Sequence, residues 1–274
     1  MDPAYLFEPE LRNLRRKRSK LANFHEGWLF REGAEALADR LSFIKRDFDK
    51  IVLHGADFHA LSDAVSESHP FFEIDAEVEI WPTEASGVDL ILSNLQLHWV
   101  NDLPGLLTQI RRALVPDGFF SAALIGGTSL FELRSSLIET EERCGLAHAP
   151  RMSPMIDLPT AAGLMQRAGF ALPVVDHELV RTTFSSPLKL LKDLRAMGQT
   201  NAVKAQPRQI LPRAFWPIFD EVYKARFPDG SGGVTATFDL VFLSGWAPAD
   251  TQQKPLTPGS AAMELRDGLN SSGS

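Results

Sequence analysis

Residues able to do chemistry fall in four short stretches. The first is His54-x-x-Asp57-x-His59. Two histidines and a carboxylate can form the facial triad of a non-haem iron site. The spacing is unspecific, however, and no residue can be named to orient the rings. Polar side chains in a loop explain the pattern equally well, so no metal ligand is assigned. The second stretch is Asn94, Gln96, His98 and Trp99. These amides and rings suit a ligand cleft. The alternative is that Trp99 packs in the core and His98 satisfies a buried backbone group. The third is Gly126-Gly127-Thr128, which could approach a substrate or simply turn the chain before a helix capped by Thr128 or Ser129. The fourth is LRAMGQTNA, with Arg195 and Asn201 beside a Gly198 that suits a helix C-terminus. There is no phosphate-binding G-x-x-x-x-G-K, no nucleophile elbow and no HExxH.

The elements around these stretches can be read from periodicity. Val88 and Leu90–Leu92 form a short apolar run, as a strand buried on both faces should. Asn94, Gln96, His98 and Trp99 therefore sit at a strand's C-terminal end, where open α/β sheets place ligands. Leu103, Leu106, Leu107, Ile110 and Leu114 recur with helical spacing. Asn101 or Asp102 can cap that helix, and Pro116-Asp117-Gly118 should stop it and turn the chain into a strand, Phe119–Leu124. Helices are expected over 8–20, 26–45, 129–143, after Asp157 to Gly169, and over 187–197 and 211–227, the last kinked by Pro217. Strands are expected at 50–54, within 172–184 and at 234–243, with Leu146–Ile156 as a polar lid. Helices alternating with strands imply an α/β domain with a mostly parallel sheet covered on both faces.

The chain has 274 residues, 44% of them hydrophobic, which suits one domain with embellishments. A formal charge of −7 argues against a general nucleic-acid binder. No apolar run approaches the ~20 residues that span a bilayer. The lone Cys144 excludes an intramolecular disulfide and a cysteine-based zinc cluster. Arg12, Arg15, Arg16, Lys17, Arg18 and Lys20 crowd the N-terminal region. Acidic Asp2, Glu8 and Glu10 argue against a presequence, and the solvated face of a helix is the simpler reading.

Seven phrases carry a family likeness: LSNLQLHWVNDLPG, IRRALVPDGFF, LIGGTSLFELR, QRAGFALPVVD, SPLKLLKDLRAMGQTNA, FLSGWAP and QQKPLTPGSA. In this order they resemble the assembly factor 5-like family of respiratory complex I (NADH:ubiquinone oxidoreductase), within the class I S-adenosylmethionine (SAM)-dependent methyltransferases. The likeness covers Val88 to Ala261, with a weaker echo over Leu11–Arg40. It implies a Rossmann-like class I methyltransferase fold with an antiparallel last strand and a helical insertion, 187–227, before it. The implied layout is N-terminal helices at 1–45, a methyltransferase-like domain at 46–247 and a Pro/Gly/Ser-rich tail at 248–274. It also implies SAM as cofactor, with Gly55, Asp57, Asp75, Asn94 and Gln96 as the matching positions. His98, Trp99, Arg195 and Asn201 would face the substrate.

The chain departs from that family in the cofactor half. The usual D/E-x-G-x-G-x-G turn matches Leu53-His54-Gly55-Ala56-Asp57-Phe58-His59, in which only Gly55 survives. Side chains at Asp57 and His59 should obstruct the methionine and ribose of SAM. The segment 56–87 is also short for two strand-helix units, although Phe71–Ile74 and Val78–Trp81 can each supply a strand. The expectation is a fold truncated in its first half and an eroded SAM site. The resemblance implies arginine hydroxylation or chaperoning of a complex I subunit as the function. Alternatives are an active methyltransferase on a small or carrier-bound carboxylate, as in biotin synthesis, and a non-enzymatic binding module. A protein partner is implied, with peripheral membrane contact open. The setting would be a bacterial cytoplasm or the mitochondrial matrix side.

Overall fold

A computed structural model describes residues 6–21, 27–55, 71–74, 78–204 and 210–253. Two helices, α1 (Pro9–Leu21) and α2 (Trp28–Ser42), precede strand β1 (Ile51–Gly55). Then follow β2 (Phe71–Ile74), β3 (Val88–Asn94), α3 (Leu103–Ala113), β4 (Leu114–Ile125), α4 (Phe131–Arg143) and α5 (Leu158–Ala168). The chain continues with β5 (Ala171–Phe184), α6 (Pro187–Ala196), α7 (Phe215–Arg226) and β6 (Val234–Trp246). The six described strands form one sheet in the order β2-β1-β3-β4-β6-β5. Strands β2, β1, β3 and β4 run parallel, while β6 is antiparallel to both its neighbours. This is an α/β, Rossmann-like sheet with the reversed last strand that the sequence led us to expect.

Strand periodicity explains the two cores. Leu53, Leu90, Leu92, Phe119, Ala123, Phe238 and Phe242 face one side, under α2, α4, α6 and α7. Val52, Ile91, Phe120, Ala122, Leu124, Val241 and Leu243 face the other, under α3 and α5. Every second side chain of a central strand must find cover, so both helical layers are needed. Asp102 caps α3 by accepting from Gly105 N at 2.9 Å, Asp157 caps α5 through Thr160 N at 2.8 Å, and Gly169 ends α5 with φ 82°.

Several local expectations are corrected. Val78–Trp81 forms no strand; Trp81 Nε1 instead donates to Ala85 O at 3.1 Å. β2 is therefore the one strand described between β1 and β3. Pro116-Asp117-Gly118 lies inside β4 as an irregular start, with Asp117 at φ 63° pinned by Arg46 and by Gln252 Nε2 at 2.9 Å. Pro217 falls in the first turn of α7, where a missing N–H costs nothing, so no kink follows. The residue before α4 is Leu130 in the left-handed region, not a capping Thr128 or Ser129. Ser129 Oγ instead donates to Gly126 O at 2.8 Å and accepts from Asp239 N at 2.7 Å.

Candidate functional site

The largest opening in the described structure is a cavity of about 480 Å³ at the C-terminal ends of β3 and β4. That is the edge at which open parallel sheets bind ligands. Its floor is Ile125 and Phe238, and its apolar wall is Leu130, Leu133 and Leu137 at the start of and along α4. The insertion closes it with Leu191, Leu194 and Arg195 of α6 and Trp216 of α7. Residues Arg151–Met155, from the stretch read as a lid, form another wall.

His98, Trp99, Arg195 and Asn201 all border this cavity. Sequence reasoning placed them on separate segments; the fold brings them together. Gln199 is the link. Its Oε1 accepts from His98 Nε2 at 3.2 Å and from Trp99 Nε1 at 2.8 Å. His98 Nε2 is therefore the protonated nitrogen, and Nδ1 faces the Ile125 N–H at 3.5 Å. Burial, opposed by the Gln199 bond and reinforced by the Arg12 charge, lowers the His98 pKa to about 3. A neutral imidazole with both nitrogens engaged is a structural pillar of the wall, not a proton shuttle near neutral pH. Asn201 Nδ2 donates to Pro150 O at 2.9 Å, and its Oδ1 accepts from Val203 N at 3.0 Å. It ties the 150–153 wall to the segment after α6.

Helix α1 completes the rim. Arg12 stacks over the Trp99 ring with its guanidinium carbon 4.3 Å from the centroid, and donates to Gly198 O. Arg15 Nη1 donates to Thr200 O at 2.8 Å. Burial first, then the charges of Arg195 and Arg18, lowers the pKa of Arg15. The solvated-face reading of this basic helix is thus corrected: Arg12 and Arg16 are buried against the insertion, while Lys17 and Arg18 remain exposed. Arg15, Arg151 and Gln199 are pocket residues that the sequence alone did not single out. A one-residue-in-four basic pattern facing an equally polar QTN run was the signal available.

Asn94 and Gln96 lie elsewhere. Both are fully buried, and neither lines the cavity. Asn94 Nδ2 donates to Phe30 O at 2.8 Å, sealing α2 onto the sheet. Gly55 adopts φ 143°, and a Cβ there would stand 2.7 Å from Asn94 O and 3.3 Å from Gln96 Cγ. The space its missing side chain leaves is filled by β3, not left open to a ligand. Asn94 Oδ1 and Gln96 Nε2 have no hydrogen-bond partner. Asn94 Oδ1, however, would lie only 2.4 Å from a Cβ on Gly33, so α2 covers it. The described residues therefore do not fit SAM at this strand end. Asp57, His59 and Asp75 lie outside the described residues. His54 is buried within β1, with Nδ1 2.9 Å from Ser93 Oγ. No group of three metal-ligating side chains is placed together among the described residues.

The sheet order, reversed last strand and ligand-edge cavity define a methyltransferase-like α/β protein. A family model described as "Methyltransferase domain" matches residues 56–122. The chain is 34% identical over 236 residues to arginine-hydroxylase NDUFAF5 of Danio rerio, covering 86% of this chain and 72% of that one. The human protein of that name is 34% identical over 209 residues, covering 76% of this chain and 60% of its own length. A malonyl-(acyl-carrier protein) O-methyltransferase of Gallionella capsiferriformans is 32% identical over 174 residues, covering 64% and 57%. The chain belongs to the NDUFAF5 family, methyltransferase-like proteins of the complex I assembly-factor type, within a SAM-binding superfamily. No described helix is long and apolar enough to cross a membrane.

Proposed function

We propose that this chain acts on a protein subunit of respiratory complex I during assembly, and that the action is hydroxylation of an arginine. The observation that carries this is the identity to arginine-hydroxylase NDUFAF5, which extends through both flanks of the cavity rather than the sheet alone. Support comes from the way α1, α6 and the 199–201 segment close over the sheet's ligand edge, a surface fit for a protein substrate. The domain layout proposed is a methyltransferase-like body at 46–247 with N-terminal helices at 1–45. The setting proposed is the side of the membrane on which complex I subunits are assembled, the matrix or a bacterial cytoplasm.

The Gly55 turn is proposed not to hold SAM. The filled space beside Gly55 and the covered Asn94 amide support that reading. Calorimetric titration with SAM and S-adenosylhomocysteine tests it, and no heat is expected from folded protein. Micromolar binding would overturn it. If binding is absent, Asp57→Gly with His59→Gly should restore it only if the loop alone is at fault.

The activity itself is tested by co-expression with candidate complex I subunits and intact-mass analysis. The expected result is an arginine-containing peptide heavier by one oxygen atom, absent when the chain is omitted. A peptide heavier by one methyl group would instead favour the methyltransferase reading.

A further inference from the structure

The cavity's polar lining has one sign. Its charged side chains are Arg15, Arg151 and Arg195, and no Asp or Glu borders it. Arg151 pairs through Nε with the buried carboxylate of Glu141, behind the wall. Its Nη2 is buried with no hydrogen-bond partner. Gln199 Nε2, buried in the same wall, is likewise unpartnered. Arg195 is exposed at the mouth, and its side chain forms no ion pair or hydrogen bond with a described residue.

The acceptors there are already engaged. Gln199 Oε1 takes two donors, and Asn201 Oδ1 takes Val203 N at 3.0 Å and Ser153 Oγ at 3.4 Å. Buried donors without acceptors are rare and costly, so a cavity that keeps two of them is built for an acceptor-rich ligand. Guanidinium forks match carboxylate and phosphate oxygens. The rest of the wall is aliphatic and sulfur-containing: Leu133, Leu137, Leu191, Leu194 and Met155. A volume of about 480 Å³ suits a small molecule rather than a folded segment.

We propose that this cavity binds an oxyanion carried on an aliphatic chain, a carboxylate or a phosphate monoester, and not the guanidinium of a protein arginine. A guanidinium would meet three like charges and no carboxylate. The chain would lie along the leucines of α4 and α6, with its head toward Arg151, Gln199 and Arg195. The inference is independent of the arginine-hydroxylation reading, because it concerns a ligand beside the protein substrate and its test needs no partner subunit.

The test is calorimetric titration of the full chain with decanoate, decyl phosphate and decylamine in parallel. At least one anion should bind, and the better of the two identifies the head group. Decylamine should bind at least about tenfold more weakly, the effect of one charge-assisted contact. Arg195→Glu reverses charge at the exposed mouth without touching the core and should weaken the anion by about tenfold or more. Leu191→Asp should weaken it through the apolar wall while thermal unfolding confirms a folded protein. Equal binding of amine and anion, no binding of either anion to folded protein, or indifference to Arg195→Glu would each overturn the proposal.

Discussion

At the scale of single residues, His98 gives the clearest prediction. Its folded pKa is lowered from 6.5 to about 3, so the unfolded chain takes up a proton that the folded chain refuses. The neutral-ring stability is fully present above pH ~6.5 and is lost as pH falls toward ~3. At about pH 5.5 the loss should be about 1.4 kcal/mol relative to neutral pH. Urea unfolding at the two pH values checks this, and His98→Gln should flatten the difference. Gln199 is the partner to remove next. Gln199→Leu strands the His98 and Trp99 donors in a buried wall and should cost about 2–4 kcal/mol, read as a lower unfolding midpoint. If that variant unfolds no earlier than the parent, the bridging role is wrong. Both residues were visible as polar letters in the sequence, but their hydrogen bond spans a separation of about a hundred positions, which no local pattern encodes.

At the scale of elements, helix α1 and the β1 terminus carry the testable claims. Arg12 joins α1 to the insertion through a cation–π contact and a bond to Gly198 O. Arg12→Ala should destabilise the docked helix by about 1–3 kcal/mol. Limited trypsin digestion would show earlier cleavage within 9–21 if so. Gly55→Ala forces a side chain to φ 143° and into Asn94 O, and should cost about 1–3 kcal/mol in chemical denaturation. A neutral result would mean that β3 yields and that the strand end is roomier than its packing shows. Helices α3, α5 and α6 were legible in advance because Asp102, Asp157 and Ser186 advertise their starts and leucines mark their buried faces. The Val78–Trp81 segment was misread because a short apolar run fits strand and core-packed loop alike. Trp81 decides it by bonding back to Ala85 and packing edge-on to His54. Pro217 was misread because its effect depends on where the helix begins, and α7 begins two residues before it.

At the scale of the molecule, one sheet serves two ends that have diverged. The β1 end is closed by its own neighbours, Asn94 and Gln96 filling the space beside Gly55. The β4 end is open, and the family-specific insertion roofs it. The two titrations described above, SAM for the first end and an aliphatic anion for the second, are expected to give opposite results on the same preparation. What the sequence determined by itself is the alternation of elements, the reversed last strand through family likeness, and the four residues His98, Trp99, Arg195 and Asn201 near a ligand edge. These follow from periodicity, caps and motif order, which are local properties of the chain. Only the tertiary structure decided that Arg15, from an N-terminal helix read as solvated, and Arg151, from a loop, meet Arg195 around one cavity. It alone decided that Asn94 seals a helix rather than facing a ligand. The physical reason is that charge and burial at a site are sums over segments far apart in sequence. Each guanidinium looked like an ordinary surface cation until packing set three of them around the same apolar space.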